Sequence, residues 1–164
     1  MFDFGIEGYR PVWQDRRRDV ARAHGDRLRA LAGRTLTRVW MVWDLGEDEW
    51  FCDCPVLFEF DGEQIEVNHQ KLGDLSLTWN TIDPGRPVRW PGFDLQWRAD
   101  PLPGLQPLLG LPLQRADLLE WAGNDVAHGN VEIGFAFEAG YVRVFNALDE
   151  NGLSFEAPGP NHRF

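Results

Sequence analysis

The densest group of residues that could do chemistry lies between positions 44 and 53. Glu47, Asp48 and Glu49 follow one another, and Asp44 and Asp53 flank them. Carboxylate oxygens suit a divalent cation, but this segment lacks the alternating spacing and the glycine of an EF-hand loop. A solvated acidic loop is therefore the favoured interpretation.

Tryptophans are interleaved with these acids, at positions 40, 43 and 50. Aromatic anchors surrounded by charge are typical of protein interfaces, where the ring is buried and the charge steers the approach of the partner. The alternative is that the tryptophans belong to the core of the fold. The interface interpretation predicts a partner-binding surface made of Trp43, Glu47, Asp48, Glu49 and Asp53.

Cys52 and Cys54 are the two cysteines of the chain. In a β-strand, residues two apart project from one face, so two thiolates could bind a soft metal ion together. A closed zinc site needs four ligands, however, and His69 is the nearest residue that could add a third. The favoured interpretation is two small buried or half-buried thiols, with no metal site and no cofactor.

Nucleophilic catalysis has few candidates in this sequence. Of the two serines, Ser76 lies inside an alternating strand and Ser154 lacks the closing glycine of a nucleophile elbow. The lysine at Lys71 stands outside any phosphate-binding loop. A non-catalytic binding domain is therefore favoured. The alternative is a small-ligand-binding protein or an enzyme, for example a carbohydrate-active one, because aromatic and acidic residues together also suit a sugar site. Its pocket would lie on the concave face of the sheet.

The net charge of −10 at neutral pH is unevenly distributed along the chain. Residues 1–38 carry nine arginines against five acidic residues, and the remainder is strongly acidic. An acidic body repels nucleic acid and attracts a basic protein partner, although charge of this size also serves solubility. No apolar run is long enough for a membrane span, and no signal peptide is recognisable. We therefore expect a cytoplasmic protein that binds neither nucleic acid nor a membrane.

The segment from Val56 to Val67 predicts a β-hairpin around Asp61-Gly62, a two-residue turn in which both residues have positive φ. Folding about this turn places apolar partners on one face, and Glu59 and Glu66 on the other. The predicted cross-strand pairs are Phe60–Glu63, Phe58–Ile65 and Val56–Val67.

A second hairpin is predicted around Ala139-Gly140, because Val131 to Phe137 alternates strictly between apolar and small or polar residues. Its predicted pairs are Phe137–Val142, Phe135–Val144 and Ile133–Asn146. We expect the apolar residues of both hairpins to be buried.

One helix precedes these strands. Asp15 is a plausible N-cap, the apolar stripe runs from Val20 to Leu31, and Gly33 suits the position after the helix. The expected fold class is α+β, a mainly antiparallel β-sheet, flat or strongly curled into a half-barrel, with one N-terminal helix. Residues 1–33 form an irregular segment and the helix, packed on the same domain; 34–157 form the β domain; 158–164 form a frayed tail.

A resemblance to a known group of proteins covers residues 34–157. It is carried by three runs: Val56 to Val67, Leu75 to Asn80 and Asn146 to Gly152. The chain resembles small, acidic, uncharacterised bacterial proteins, some of which look like immunity proteins of polymorphic toxin systems. The resemblance implies a cytoplasmic protein-binding domain that neutralises a basic toxin. It assigns no role to any single residue.

Overall fold

The computed structural model describes residues 2–164 as two antiparallel β-sheets and one α-helix, α1, at Arg17–Arg29. This confirms the α+β class with one N-terminal helix, and the described strands form no closed barrel. A turn of 3-10 helix lies at Pro103–Leu105. The strands are β1 (Leu36–Asp44), β2 (Glu49–Trp50), β3 (Val56–Phe60), β4 (Glu63–Gln70), β5 (Asp74–Trp79), β6 (Leu95–Ala99), β7 (Arg115–Trp121), β8 (Val131–Phe137), β9 (Gly140–Asn146), β10 (Asn151–Ser154) and β11 (His162–Arg163).

The first hairpin, β3–β4, has the predicted register, with Phe58 opposite Ile65 and Val56 opposite Val67. Asp61 and Gly62 both have positive φ, 50° and 84°, as a two-residue turn of this type requires.

The second hairpin, β8–β9, forms, but its predicted register is wrong by two residues. The turn consists of Glu138 and Ala139, and Gly140 is already the first strand residue, because its φ of 159° is extended. A shift of two residues keeps each side chain on its predicted face, so the buried set is unchanged. The observed pairs are Phe137–Gly140, Phe135–Val142 and Ile133–Val144.

Helix α1 is shorter than predicted and starts after Arg16, whose side chain makes no capping bond, so Asp15 is not the N-cap. Its buried residues include Val20 and Leu28, which pack into the core between the sheets. No helix within residues 2–164 is long and apolar enough to span a bilayer.

The two sheets pack against each other through their inner faces. The first sheet has the order β2-β1-β3-β4-β5, and β6 also pairs with β1. The second sheet has the order β10-β9-β8-β7-β11. The ring of Phe135 contacts those of Phe58 and Phe60, with centroids 4.8 and 5.2 Å apart. The predicted burial of the hairpin residues is confirmed for Phe58, Ile65, Val67, Phe135, Phe137, Val142 and Val144.

The outer face of the first sheet is also covered, which the sequence did not predict. The N-terminal segment places Phe4, Ile6 and Tyr9 against this face, in a second apolar cluster with Leu57 and Trp97. Isolated bridges such as Ile6 to Val88 and Gln14 to Leu75 hold the segment along the sheet. The chain therefore has three layers.

Glu66 lies on the face opposite the apolar partners, as predicted, but this face is internal: Glu66 is completely buried, while Glu59 is half-buried. The end of the chain differs as well. The tail expected to be frayed adds β11, in which His162 pairs with Trp121 and Arg163 with Glu120.

Candidate functional site

The predicted acidic loop is the connection between β1 and β2, residues 44–49. Asp44 is buried, and its Oδ1 accepts hydrogen bonds from the backbone amides of Gly46 and Glu47, at 2.9 and 3.2 Å. One carboxylate thus shapes the turn, while the residues from Leu45 to Glu49 project into solvent. The loop is exposed, as the interface hypothesis requires.

Trp43 and Asp48 form a local contact with Arg98 of β6. The indole Nε1 of Trp43 donates to Asp48 Oδ1 at 3.0 Å, and the Arg98 guanidinium lies 4.8 Å from the centre of the Trp43 ring. Arg98 Nη1 is 3.7 Å from Asp48 Oδ1. Such an exposed ion pair is weak, but it offsets part of the Asp48 charge. Glu47 and Glu49 form no ion pair with any residue in the described range.

Asp53 lies beside a second acidic segment, the β9–β10 turn that carries Asp149 and Glu150. Burial raises the pKa of the Asp53 carboxyl, and the charges of Glu150 and Asp149 raise it further. The pKa of the Cys52 thiol is raised to about 12 by burial and by the charges of Glu150, Asp53 and Glu49. We call Glu49, Asp53, Asp149 and Glu150 the acidic cluster.

Asn151 holds the two segments of the acidic cluster together. Its Nδ2 donates to the carbonyl oxygens of Cys52 and Cys54, both at 3.0 Å, and to Asn68 Oδ1 at 2.8 Å. Its Oδ1 accepts the backbone N–H of His69 at 2.8 Å. Because Asn151 is 1 % exposed and fully used, the position of the turn relative to Asp53 is fixed before any partner arrives.

Neither cysteine lies in a strand, so the expected geometry of two thiols on one strand face does not occur. Cys54 is fully buried, Cys52 is half-buried, and both are free. Burial, and then the charge of Asp53, raises the pKa of the Cys54 thiol. No group of three or more histidine, cysteine or acidic side chains within residues 2–164 is arranged to hold a metal ion.

An open cleft of about 740 Å³ lies between the start of α1 and the β7–β8 loop. Arg16 and Arg18 stand on one side, and Asp15 and Glu120 also line it. Arg17 is already used, because its Nε donates to the carbonyl oxygen of Leu118 at 2.9 Å. Charges of both signs on an open surface single out no class of ligand.

A second cavity, about 370 Å³ in volume, lies on the outer face of the second sheet, where the loop at 123–130 folds over the ends of β7, β8 and β9. We call it the outer-face pocket. Sequence reasoning missed it, because its residues come from separate strands and loops; the sole local sign was Glu132 in the alternating run of β8. Its lining includes Trp121, Val126, Asn130, Arg143, Phe145 and Leu148.

Glu132 is a buried carboxylate at the base of this pocket. Its Oε1 accepts from Arg143 Nη1 at 2.6 Å, and His162 Nε2 lies 3.3 Å away. Gly159 N–H donates to the other ring nitrogen of His162, at 3.0 Å, so the neutral ring carries its proton on Nε2 and donates to Glu132. The strand β11 thus supplies one of the two partners of Glu132.

Fold and site together define an α+β protein of two antiparallel sheets with an acidic surface at one set of turns. No family model matches the sequence, and comparison with curated proteins and with solved structures gives no match.

Proposed function

We propose that this protein is a non-catalytic, cytoplasmic binding domain that recognises a basic protein partner through its acidic surface. The surface consists of the acidic cluster together with Trp43, Glu47 and Asp48 on the neighbouring loop. The partner fits the class of a basic toxin that an immunity protein neutralises. Nucleic acid is disfavoured as a partner, because the same charges repel phosphates.

The convergence of two acidic segments, fixed by the hydrogen bonds of Asn151, is the observation that carries the proposal. Burial, and then the charges of Glu150 and Asp149, raise the pKa of Asp53, so like charges are held together at a cost in free energy. A lysine or arginine of a partner placed among them would relieve this repulsion. Since buried Asn151 fixes the arrangement in the free protein, little ordering is needed on binding.

Exposure and total charge also support an encounter surface. Glu47, Glu49, Asp149 and Glu150 are all exposed, and the whole chain has a net charge of −10. A field of this sign speeds the approach of a cationic protein and weakens with salt, since the screening length is ~10 Å at 0.1 M. Asp48 contributes less, because Arg98 already lies beside it.

The test is to capture the partner from the cells that make this protein and to measure association kinetics with the purified pair. A surface variant carries Glu47→Lys, Glu49→Lys and Glu150→Lys. A control variant carries Asp15→Lys, Glu138→Lys and Glu156→Lys, three exposed acids elsewhere. Both change the net charge equally, so a difference between them reports position and not total charge.

We expect the surface variant to associate roughly tenfold more slowly than the control at low salt, with the difference shrinking at high salt. Equal association rates for the two variants would refute the proposal. A captured partner that is acidic, or a nucleic acid, would refute it as well.

The alternative expected from the sequence, a small-ligand site on a concave sheet face, stays a prediction. The inner faces of the two sheets pack against each other through Phe58, Phe60 and Phe135. Any such site therefore lies on an outer face.

A further inference from the structure

Three large apolar side chains stand in solvent on neighbouring turns of the two sheets. They lie in the β4–β5 turn, the β7–β8 loop and the β9–β10 turn. Leu72 is 60 % exposed, Val126 is 70 % exposed and Leu148 is 56 % exposed. A single apolar residue on a surface is ordinary, whereas a group of adjacent ones marks a candidate contact surface. We call these three residues the turn patch.

The turn patch is a continuous row with Val126 in the middle. Val126 and Leu72 line the same open cleft, at the start of α1. Val126 and Leu148 line the same outer-face pocket. The three side chains are far apart in sequence but border one stretch of surface, so a single partner surface can cover all of them.

Hydrogen bonds fix the two outer turns of the patch relative to each other. Asn146 Nδ2 donates to the carbonyl oxygen of Gln70 at 3.2 Å. The backbone N–H of Lys71 donates to Asp149 Oδ1. The β4–β5 turn of the first sheet is thus bonded directly to the β9–β10 turn of the second.

The β7–β8 loop is held by hydrogen bonds of its own. Asp125 Oδ1 and Oδ2 accept from Trp121 Nε1 at 3.0 and 3.1 Å, and Oδ1 also accepts the backbone N–H of Ala127 at 2.9 Å. Gly129 N–H donates to the carbonyl oxygen of Trp121 at 2.7 Å. All three turns are therefore in place before a partner arrives, so covering the patch requires little ordering of the chain.

The β9–β10 turn holds a leucine in a conformation that leucine rarely adopts. Leu148 has a φ of 62°, and Asp149, which follows it, has a φ of 79°. Such a backbone is unfavourable for a residue with a β-carbon, although asparagine and aspartate tolerate it better. Because the leucine is exposed, it gains little burial in the free protein to offset this strain. Strain of this kind collects at functional sites, and here contact with a partner would bury the side chain.

The charge beside the turn patch differs between its two ends. At one end, Leu148 is followed directly by two carboxylates of the acidic cluster. At the other end, the cleft lined by Leu72 holds three arginines against two carboxylates, so it has no excess of negative charge. An apolar centre beside a charged rim is the usual anatomy of a protein interface. The acidic end attracts a cationic partner and the cleft end does not, so charge determines how the partner is oriented.

We propose that the turn patch is the apolar part of the interface whose charged part is the acidic cluster, an inference that rests on the proposed function. The partner is a basic protein that presents exposed apolar side chains beside its lysines or arginines. Its cations lie over the acidic cluster, and its apolar side chains cover the turn patch from Leu148 towards Leu72. The charges speed association, and the apolar contact slows dissociation.

The test uses the purified basic partner captured for the acidic surface and compares two variants that leave the net charge unchanged. The patch variant carries Val126→Ser and Leu148→Asn, and the asparagine suits the positive φ of position 148. The patch control carries Val12→Ser and Phe155→Asn. Both of these residues are exposed, and neither lines the cleft or the outer-face pocket.

We expect the patch variant to dissociate from the partner roughly tenfold faster than the wild type, with an association rate within about twofold of it. The patch control should match the wild type in both rates. Lys71, the one lysine of the chain, gives an independent measure of position, because it is exposed and directly precedes Leu72. Its acylation by an amine reagent, followed by mass spectrometry, should slow in the complex.

A wild-type dissociation rate in the patch variant, or a Lys71 amine that reacts equally fast in the complex, overturns the inference. The proposed function is tested separately by the surface variant, because that variant acts on association. If the surface variant still associates slowly, the proposed function stands without the turn patch. Failure to recover a basic partner overturns both.

A second copy of this chain is the other occupant that the experiment detects. Light scattering on the wild type and the patch variant, each without partner, measures the oligomeric state. We expect both to be monomers. A wild-type dimer that becomes a monomer in the patch variant would make the turn patch an interface between copies, and would overturn the inference.

Discussion

Glu66 is the clearest place to test how a buried polar side chain holds the segment after β5 against the first sheet. It lies in β4, completely buried beneath the N-terminal segment, yet accepts five hydrogen bonds. Its Oε1 accepts from the hydroxyls of Thr78 and Thr81, both at 2.6 Å. Its Oε2 accepts from Gln64 Nε2 at 2.8 Å and from the backbone amides of Thr81 and Ile82, at 2.9 and 3.2 Å.

Replacing this carboxylate by leucine should destabilise the fold severely. The amide of Ile82 is in a buried bond and that of Thr81 in a partly buried one, and neither amide can turn away from the site. At roughly 1–3 kcal/mol for each buried donor left unsatisfied, Glu66→Leu should lower the free energy of unfolding by about 3 kcal/mol.

Glu66→Gln is the matched control, and it should cost much less. A glutamine can place its carbonyl oxygen where Oε2 lies, so the donors of Gln64, Thr81 and Ile82 keep their acceptor. Its amide nitrogen then donates to the two threonine hydroxyls, which rotate to accept. What is lost is the strengthening of these bonds by charge, about 1 kcal/mol in total.

The assay is denaturant unfolding, followed by tryptophan fluorescence and by far-ultraviolet circular dichroism, on the wild type and each variant. Glu156→Leu makes the same exchange at an exposed position, and it should change the free energy of unfolding by no more than ~0.5 kcal/mol. A Glu66→Leu loss no larger than that of Glu66→Gln would refute the claim that the carboxylate oxygens hold the segment after β5 against the first sheet.

Two further predictions concern the interior. Phe58→Ala should lower the free energy of unfolding by about 3–5 kcal/mol, because Phe58 is fully buried against Phe135; a loss near that of exposed Phe93→Ala would contradict the packing described. Burial lowers the pKa of His69 to about 4, from an unfolded value of 6.5, so the unfolded chain protonates first and stability should fall as pH drops from 6.5 to 4, by roughly 3 kcal/mol. The measurement is the free energy of unfolding at pH 7 and at pH 4, for the wild type and for His69→Gln. The variant should lack this part of the loss. Equal losses in the two proteins would contradict the prediction.

The hairpins were predictable because their signals are local. Asp61-Gly62 specifies a turn by its own backbone preference, and the alternation on either side then determines which side chains share a face. The second turn was misplaced because Gly140 resembles a turn residue in sequence but adopts an extended conformation at the start of β9. Because the register error is an even number of residues, each side chain stays on its predicted face, and the prediction of burial is still correct.

The burial of Glu66 was not predictable from β4, because it depends on a segment about sixty residues away in sequence. The residues that cover that face, Phe4, Ile6 and Tyr9, are separated by glycines and show no strand or helix period. Without knowing that this segment returns to the sheet, a glutamate that alternates with valine and isoleucine indicates a solvent face.

The candidate site was predictable in part for the same reason. The acidic loop is recognisable from its composition. Its convergence with Asp149 and Glu150 depends on Asn151, which donates hydrogen bonds to the carbonyl oxygens of Cys52 and Cys54. These bonds link positions nearly a hundred residues apart in sequence. The outer-face pocket draws on three strands and two loops, and no single stretch contains its pattern.

Buried polar side chains therefore determine more of this architecture than their number suggests. Glu66 binds backbone amides beside β5, Asn151 binds carbonyls of the β2–β3 segment, and the His69 ring lies between Asn151 Oδ1 at 3.1 Å and the carbonyl oxygen of Val131 at 3.2 Å. An apolar core can tolerate several ways of stacking layers, but a buried polar group is satisfied in few of them, because an unmet partner costs more than a bond gains. Each of these residues joins segments that are separate in sequence. Two of them lie directly behind the candidate sites. Asn151 lies behind the acidic cluster, and His69 lies behind the start of β8, where Val131 precedes Glu132. The surfaces proposed for binding are thus positioned from inside, by contacts that no exposed residue makes.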